Sequence, residues 1–359
     1  MKRYLSLLLP ILAVVLAFAI VQSGNREDIY RGSSGTINAE IDRLFVLFDR
    51  TKEPSAARYS LIHLIVDRLD AEKAIDKVNF FLTTYVAQNP QDPFDADYLY
   101  RVAENYRHEN AVPLAIPYYE RIVKDYPDVF ERGDSVHYRS LDALTRLVDQ
   151  PSLKRKFYED IAEQFPYKLT KPEQFYEWGH AYEQLGLWKQ AIKTYSKFLL
   201  FPDPVVPGDP QAYSRVKSLV DLSKSDLSWV YPDLHTLIAA LERAIESDDT
   251  DKMEQLRAKV GFFALSWDDT NPNDALPEVF DIRTFLRELV QQAHYGGGSV
   301  WFSPKLDDAS NNSEAYLKST GWTFRIPTWY FCFKRISYPA DPEVNGAWEW
   351  AGVFFGDKM

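Results

Sequence analysis

Cysteine is almost missing from this chain: its 359 residues contain one, Cys332. A single cysteine excludes an intramolecular disulfide framework. It stands in the apolar run at 329–333 with no histidine beside it, and reads as a small buried hydrophobe rather than a reactive thiol. Histidine is scarce too. His63, His108, His137, His180, His235 and His294 form no His-Glu-x-x-His pair and no Cys/His cluster, so neither a metal site nor a cofactor is expected. There is no Gly-x-Ser-x-Gly nucleophile elbow. Gly296-Gly-Gly-Ser-Val300 lacks the lysine and the following helix of a phosphate loop, and reads as freedom at a strand entry. Asp248, Asp249 and Asp251 lack the glycine and the twelfth-position glutamate of a calcium loop, and read as a solvated helix turn. With no catalytic constellation, the chain reads as a non-enzyme. Cationic excess is absent as well: 41 Lys and Arg face 52 Asp and Glu, a formal charge of −11. Phosphate binding needs a basic face, so nucleic acid is excluded as the main partner.

What is present is apolar and aromatic. A hydrophobic content of 46% and an aromatic content of 15% describe a folded protein long enough for two cores. Lys2 and Arg3 precede an uncharged apolar stretch at 5–22, which reads as a signal peptide or membrane anchor over residues 1–23. Small residues at Ala17-Phe18-Ala19 and Val21-Gln22-Ser23 would allow cleavage; the length of the stretch would allow retention in the inner membrane. Either way, basic residues ahead of the run place the body outside the cytoplasm, in a periplasmic setting. Residues 24–37 are polar and read as a tether.

A repeat follows. Asn89-Pro90, Tyr126-Pro127, Phe165-Pro166 and Phe201-Pro202 close four segments at spacings of 37, 39 and 36 residues. A period of that length means stacked supersecondary units, none able to bury its apolar face alone. One unit reads Leu99-x2-Val102-Ala103-x2-Tyr106-x8-Ala115-x3-Tyr119-x2-Ile122-x4-Pro127. Another reads Phe175-x2-Trp178-Gly179-x2-Tyr182-x3-Gly186-x4-Ala191-x3-Tyr195-x2-Phe198. Small residues stand where two helices must touch. The first unit, with Ile41, Leu44, Phe45 and Phe48 and then Leu61, Leu64, Ile65 and Leu69 at helical spacing, is degenerate, and so is the third.

These units resemble the tetratricopeptide (TPR) repeat. The resemblance implies an α-solenoid over residues 38–202, with a concave groove lined by fixed positions on the first helix of each unit. Carried onto this sequence, they are Tyr100, Glu104, Arg107 and His108 in one unit, and Tyr176, His180, Glu183 and Gln184 in the other. Asp97, Glu104, Glu173 and Glu183 would oppose the acidic tails that carboxylate-clasping TPR modules hold. A basic or mixed-charge protein partner with aromatic anchors is therefore implied. The alternative is that these are solvated faces, or faces packed on the C-terminal domain.

The proline-rich run at 201–210 breaks the helices, and residues 203–232 read as a linker with a capping helix at 211–221. Residues 233–359 read as a smaller α+β domain. Leu234, Leu237, Ile238, Leu241 and Ile245 form a helical face, and a short helix carries Met253 and Leu256. A strand at 260–267, a helix at 279–293 and four strands within 298–356 follow, with clean alternation from Trp322 to Ile326. That order resembles the NTF2-like fold; a cystatin-like or other β-meander on a helix fits it too. Trp267, Trp301, Trp322, Trp348 and Trp350 concentrate here, as a ligand or glycan pocket or as core. Asp268, Asp269 and His294 would be the acid–base groups of an NTF2-like enzyme. The expectation is a non-enzymatic extracytoplasmic scaffold binding a protein partner in an envelope-associated assembly.

Overall fold

The computed structural model describes residues 35–131, 133–266, 300–322 and 327–358. The expected leader, most of the tether, the helix at 279–293, and Trp267, Asp268, Asp269 and His294 lie outside them, as do residues 323–326. Among the described residues, no helix is long and apolar enough to cross a membrane. The chain divides into two compact units, one through Leu169 and one from Thr170 onward.

The first unit is a run of antiparallel helices. Helix α1 (Gly35–Arg50) buries Ile41, Phe45 and Phe48, and the rings of Phe45 and Phe48 meet Phe81 edge-on at 5.6 and 5.8 Å. Helix α2 (Ala56–Ala71) opens on Ser55, whose hydroxyl accepts the Arg58 N–H. Its buried stripe is Arg58, Ile62, Ile65, Val66 and Leu69. The expected face is thus corrected: Leu64 is exposed, because the helix turns the Ile62/Val66 row inward instead. Helix α3 (Ile75–Gln88) completes the first pair with Val78, Phe81 and Tyr85 buried.

Helices α4 (Asp95–His108) and α5 (Val112–Asp125) form the second pair. Ala103 and Ala115 have no exposed surface, as the small residues of a close helix contact must. α5 ends at the extended Tyr126, the conformation a following proline enforces. A small hairpin of β1 (Phe130–Glu131) and β2 (Asp134–Ser135) leads into α6 (Val136–Leu147), capped by the Ser135 hydroxyl, and α7 (Pro151–Gln164) completes the third pair.

The second unit opens with the fourth pair, α8 (Pro172–Gln184) and α9 (Trp188–Phe198), followed by α10 (Ala212–Lys224), a helix where one was expected at 211–221. Helices α11 (Leu234–Glu246) and α12 (Thr250–Leu256) turn at Asp248 (φ 61°). They precede a five-stranded sheet of β3 (Phe263–Ser266), β4 (Trp301–Phe302), β5 (Glu314–Thr320), β6 (Thr328–Arg335) and β7 (Trp348–Phe355). The sheet order is β3-β7-β6-β5-β4, parallel between β3 and β7 and antiparallel elsewhere. β3 is shorter than expected, because Gly261 (φ 68°) holds the preceding chain in a bend. Leu237, Leu241 and Met253 share one core with Phe331, Phe333 and Trp350, the helix pair covering one face of the sheet.

Candidate functional site

In the first unit the first helices of three successive pairs, α2, α4 and α6, contribute side chains to one open cleft of about 170 Å³. Its floor is apolar, with Ile62, Val66 and Leu82. Charged groups stand above it. Asp97, nearly buried, accepts the Tyr59 hydroxyl and lies 3.0 Å from His63 Nε2. Arg101 pairs with Asp70 at 2.5 Å, and Arg139 pairs with Glu131 at 2.7 Å. The Arg139 guanidinium also lies 4.1 Å over the ring of Tyr100, a cation–π contact between consecutive helix pairs.

Tyr100, Glu104 and His108 line this cleft, and Arg107 lies alongside with Glu104 and Arg139 in an adjoining depression. The structure assigns them unequal parts. Glu104 is held from within: Arg107 Nη2 donates to it at 2.6 Å and Arg107 Nε at 3.1 Å, and the Tyr119 hydroxyl donates from α5. Burial would push the Glu104 carboxyl up, but these donors and the Arg107 charge outweigh it and hold it below the usual range. Burial and the neighbouring Glu104 push the Tyr100 phenol up, against the pull of Arg139. Tyr100 is almost fully buried and serves as wall; His108, 68% exposed, is open at the rim.

The other four candidates lie in the second unit and repeat the construction. Tyr176, Tyr195 and Arg215 each stand 76 residues after Tyr100, Tyr119 and Arg139. Arg215, on α10, lies 5.6 Å over the Tyr176 ring, and its Nη2 donates to the Tyr176 hydroxyl at 2.6 Å. Tyr195 donates to Glu183, which also accepts from Arg215 at 3.2 Å. The acid has moved along the helix: Glu183 matches Arg107 in register, and His180, stacked on Tyr176, matches Glu104. Burial and the bond to Asp209 push the Tyr176 phenol up to about 12. Thus Tyr176 and Glu183 are used internally, while Gln184 is exposed. α10 supplies what a fifth first-helix would supply.

Of the tryptophans expected to form core or pocket, Trp267 lies outside the described residues, and three of the others lie in the core. Trp322, Trp348 and Trp350 are 2%, 6% and 0% exposed and belong to the sheet core, and Trp322 stacks on Trp329 at 4.1 Å. They are large apolar surfaces on the covered face, so the core takes them. Trp301 stands apart on edge strand β4, 69% exposed. No group of His, Cys, Asp and Glu among the described residues is arranged to hold a metal. Residues that the sequence reading missed are His63, Asp67, Arg101, Glu131, Arg139 and Arg215. Only the last pair left a signal, the shared 76-residue register with two tyrosines.

Residues 97–128, covering α4, α5 and the closing proline, match the family model of the tetratricopeptide repeat. No curated protein matches the chain.

Proposed function

We propose that the first unit is a protein-binding scaffold whose cleft between α2, α4 and α6 seats a segment of a protein partner. The observation that carries this reading is the cleft itself. Three successive first-helices build it, as repeat stacking does when it presents a concave surface, and it holds an apolar floor beneath unequally used charged groups. The match of residues 97–128 to a repeat whose modules bind proteins supports it. The body stands outside the cytoplasm in an envelope-associated assembly, such as a motor, secretion or cell-wall machine; the basic-then-apolar start of the sequence is the support for that placement. In the second unit, two helices, a strand and four further strands in the order β3-β7-β6-β5-β4 support an NTF2-like reading of the C-terminal domain.

The test is site-specific photo-crosslinking in cells, with the crosslinker at His108 and, separately, at Asp67, both exposed at the cleft. The control position is Leu114, exposed on second-helix α5. One protein captured from both cleft positions and not from Leu114 is the expected result. Equal capture from all three, or none from the cleft, overturns the proposal.

A further inference from the structure

We infer that the cleft of the first unit seats a lysine or arginine side chain of the partner, an inference that rests on the protein-binding reading above. Charge is the first argument. Five carboxylates reach the cleft: Asp67, Asp70, Asp97, Glu104 and Glu131. Two guanidiniums oppose them, Arg101 and Arg139, which leaves three more carboxylates than guanidiniums. Counting Arg107, which pairs with Glu104 from beside the cleft, the excess is still two. Both guanidiniums are already engaged, Arg101 by Asp70 and Arg139 by Glu131 and the Tyr100 ring, so neither is free to receive an incoming carboxylate. Asp67, by contrast, is exposed and has no ion-pair partner among the described residues.

Size and shape are the second argument. At about 170 Å³ the cleft is smaller than the roughly 300–1,000 Å³ of sites that enclose a free small molecule, and suits one long side chain entering from the rim. Its floor of Ile62, Val66 and Leu82 would cover the methylene stem, while the charged head stays among the carboxylates above, the ordinary division of a long cationic side chain. A cation arriving there is attracted by the surrounding anions and pairs with Asp67 without breaking an existing ion pair.

The test uses the full-length protein and three capped, fluorescently labelled peptides. They share one polar, uncharged host sequence and differ at two central positions: Lys-Arg, Gln-Gln or Glu-Glu. Binding is read by anisotropy in low and in high salt. The Lys-Arg peptide is expected to bind, the other two not, and salt to weaken its binding. Asp67→Lys, at an exposed position, should weaken it on the order of tenfold, as a like charge placed at the contact does. Glu120→Lys adds the same charge on the exposed surface of α5 and should leave it unchanged, which separates the cleft from the general attraction of a chain of charge −11. Equal binding of the Gln-Gln peptide, or equal loss in both variants, overturns the inference. If crosslinking at His108 still captures its partner in Asp67→Lys while no peptide prefers the wild type, the cation inference falls and the protein-binding reading stands. If crosslinking at His108 fails in the wild type as well, both fall.

Discussion

The ring of Tyr195 on α9 occupies the space that a side chain at Gly179 on α8 would need: a Cβ built there would lie 2.5 Å from its Cδ1 and Cε1. Contacts that short do not occur between real carbons, so either the ring moves or the helices part. The ring is not free to move, because its hydroxyl donates to Glu183 and its face meets Tyr176 at 6.1 Å. Gly179→Ala should therefore destabilise the second unit by about 1–2 kcal/mol net, an overpacking cost near the upper end of about 1–3 kcal/mol outweighing the roughly 1 kcal/mol that alanine returns in helix propensity. A denaturant titration followed by tryptophan fluorescence measures it; a variant as stable as the wild type would refute the contact.

Arg58 is the corresponding lock at the start of the first unit. Its guanidinium lies 4.1 Å over Phe48, donates to the Tyr85 hydroxyl at 3.1 Å and to the Phe48 carbonyl at 3.3 Å, and also reaches the Thr51 carbonyl. One planar cation thus satisfies the C-terminal carbonyls of α1 and ties them to α2 and α3. Arg58→Ala removes these bonds, leaving the Thr51 carbonyl without its donor and the Phe48 carbonyl with only the Thr51 N–H, and should cost about 2–4 kcal/mol. Arg58→Lys should recover little, since an ammonium cannot stack and fork together. Hydrogen exchange should show α1 losing protection first; unchanged protection there would contradict the role.

The helix pairs were legible because their signals are local: apolar stripes at a period of 3.6, prolines that end second helices, and small residues at 103, 115, 179 and 191. Errors arose where two stripes competed. On α2 the leucines at 61 and 64 matched the period as well as Ile62 and Val66, and only packing against α3 decides between them. The cleft was half legible. Glu104 and His108 stood at positions the repeat resemblance marks, but Tyr119, which donates to Glu104, and the Arg139–Glu131 pair come from other elements, and apart from the 76-residue register of Arg139 no spacing announces them. The tryptophans left core and pocket both open for a related reason, because composition gives aromatic area but not the face of the sheet that carries it.

Cys332 should be inert in the native protein. It lies in the middle of β6 with no exposed surface, and burial pushes its thiol up to about 12. The thiolate is the reactive species, so a soluble disulfide reagent or iodoacetamide at pH 8 should leave it unlabelled for as long as the sheet stays closed. Labelling should appear in step with unfolding in denaturant. Fast labelling in buffer would mean that the sheet opens locally without global unfolding.

Stability should fall as pH rises from about 4 towards 7, and Asp95 in the first unit is the main reason. It opens α4 at 1% exposure, and neither carboxylate oxygen has a hydrogen-bond partner among the described residues. Burial pushes its carboxyl up to about 7, the nearby Asp92 charge adds to this, and Arg121 opposes it. An unfolded aspartate titrates near 3.9, so between roughly pH 4 and 7 the folded state holds a proton that the unfolded state has released. Each pH unit in that window then removes up to roughly 1.4 kcal/mol, and the loss levels off above it. Glu349 in the second unit, pushed up to about 7 by burial against the charge of Lys334, contributes with the same sign. Denaturant titrations at pH 5.5 and 8 should show the wild type more stable at the lower value. Asp95→Asn should remove part of that difference, and Asp95→Asn with Glu349→Gln most of it. A single variant with the full wild-type slope would show that Asp95 is ionised and solvated in the folded chain.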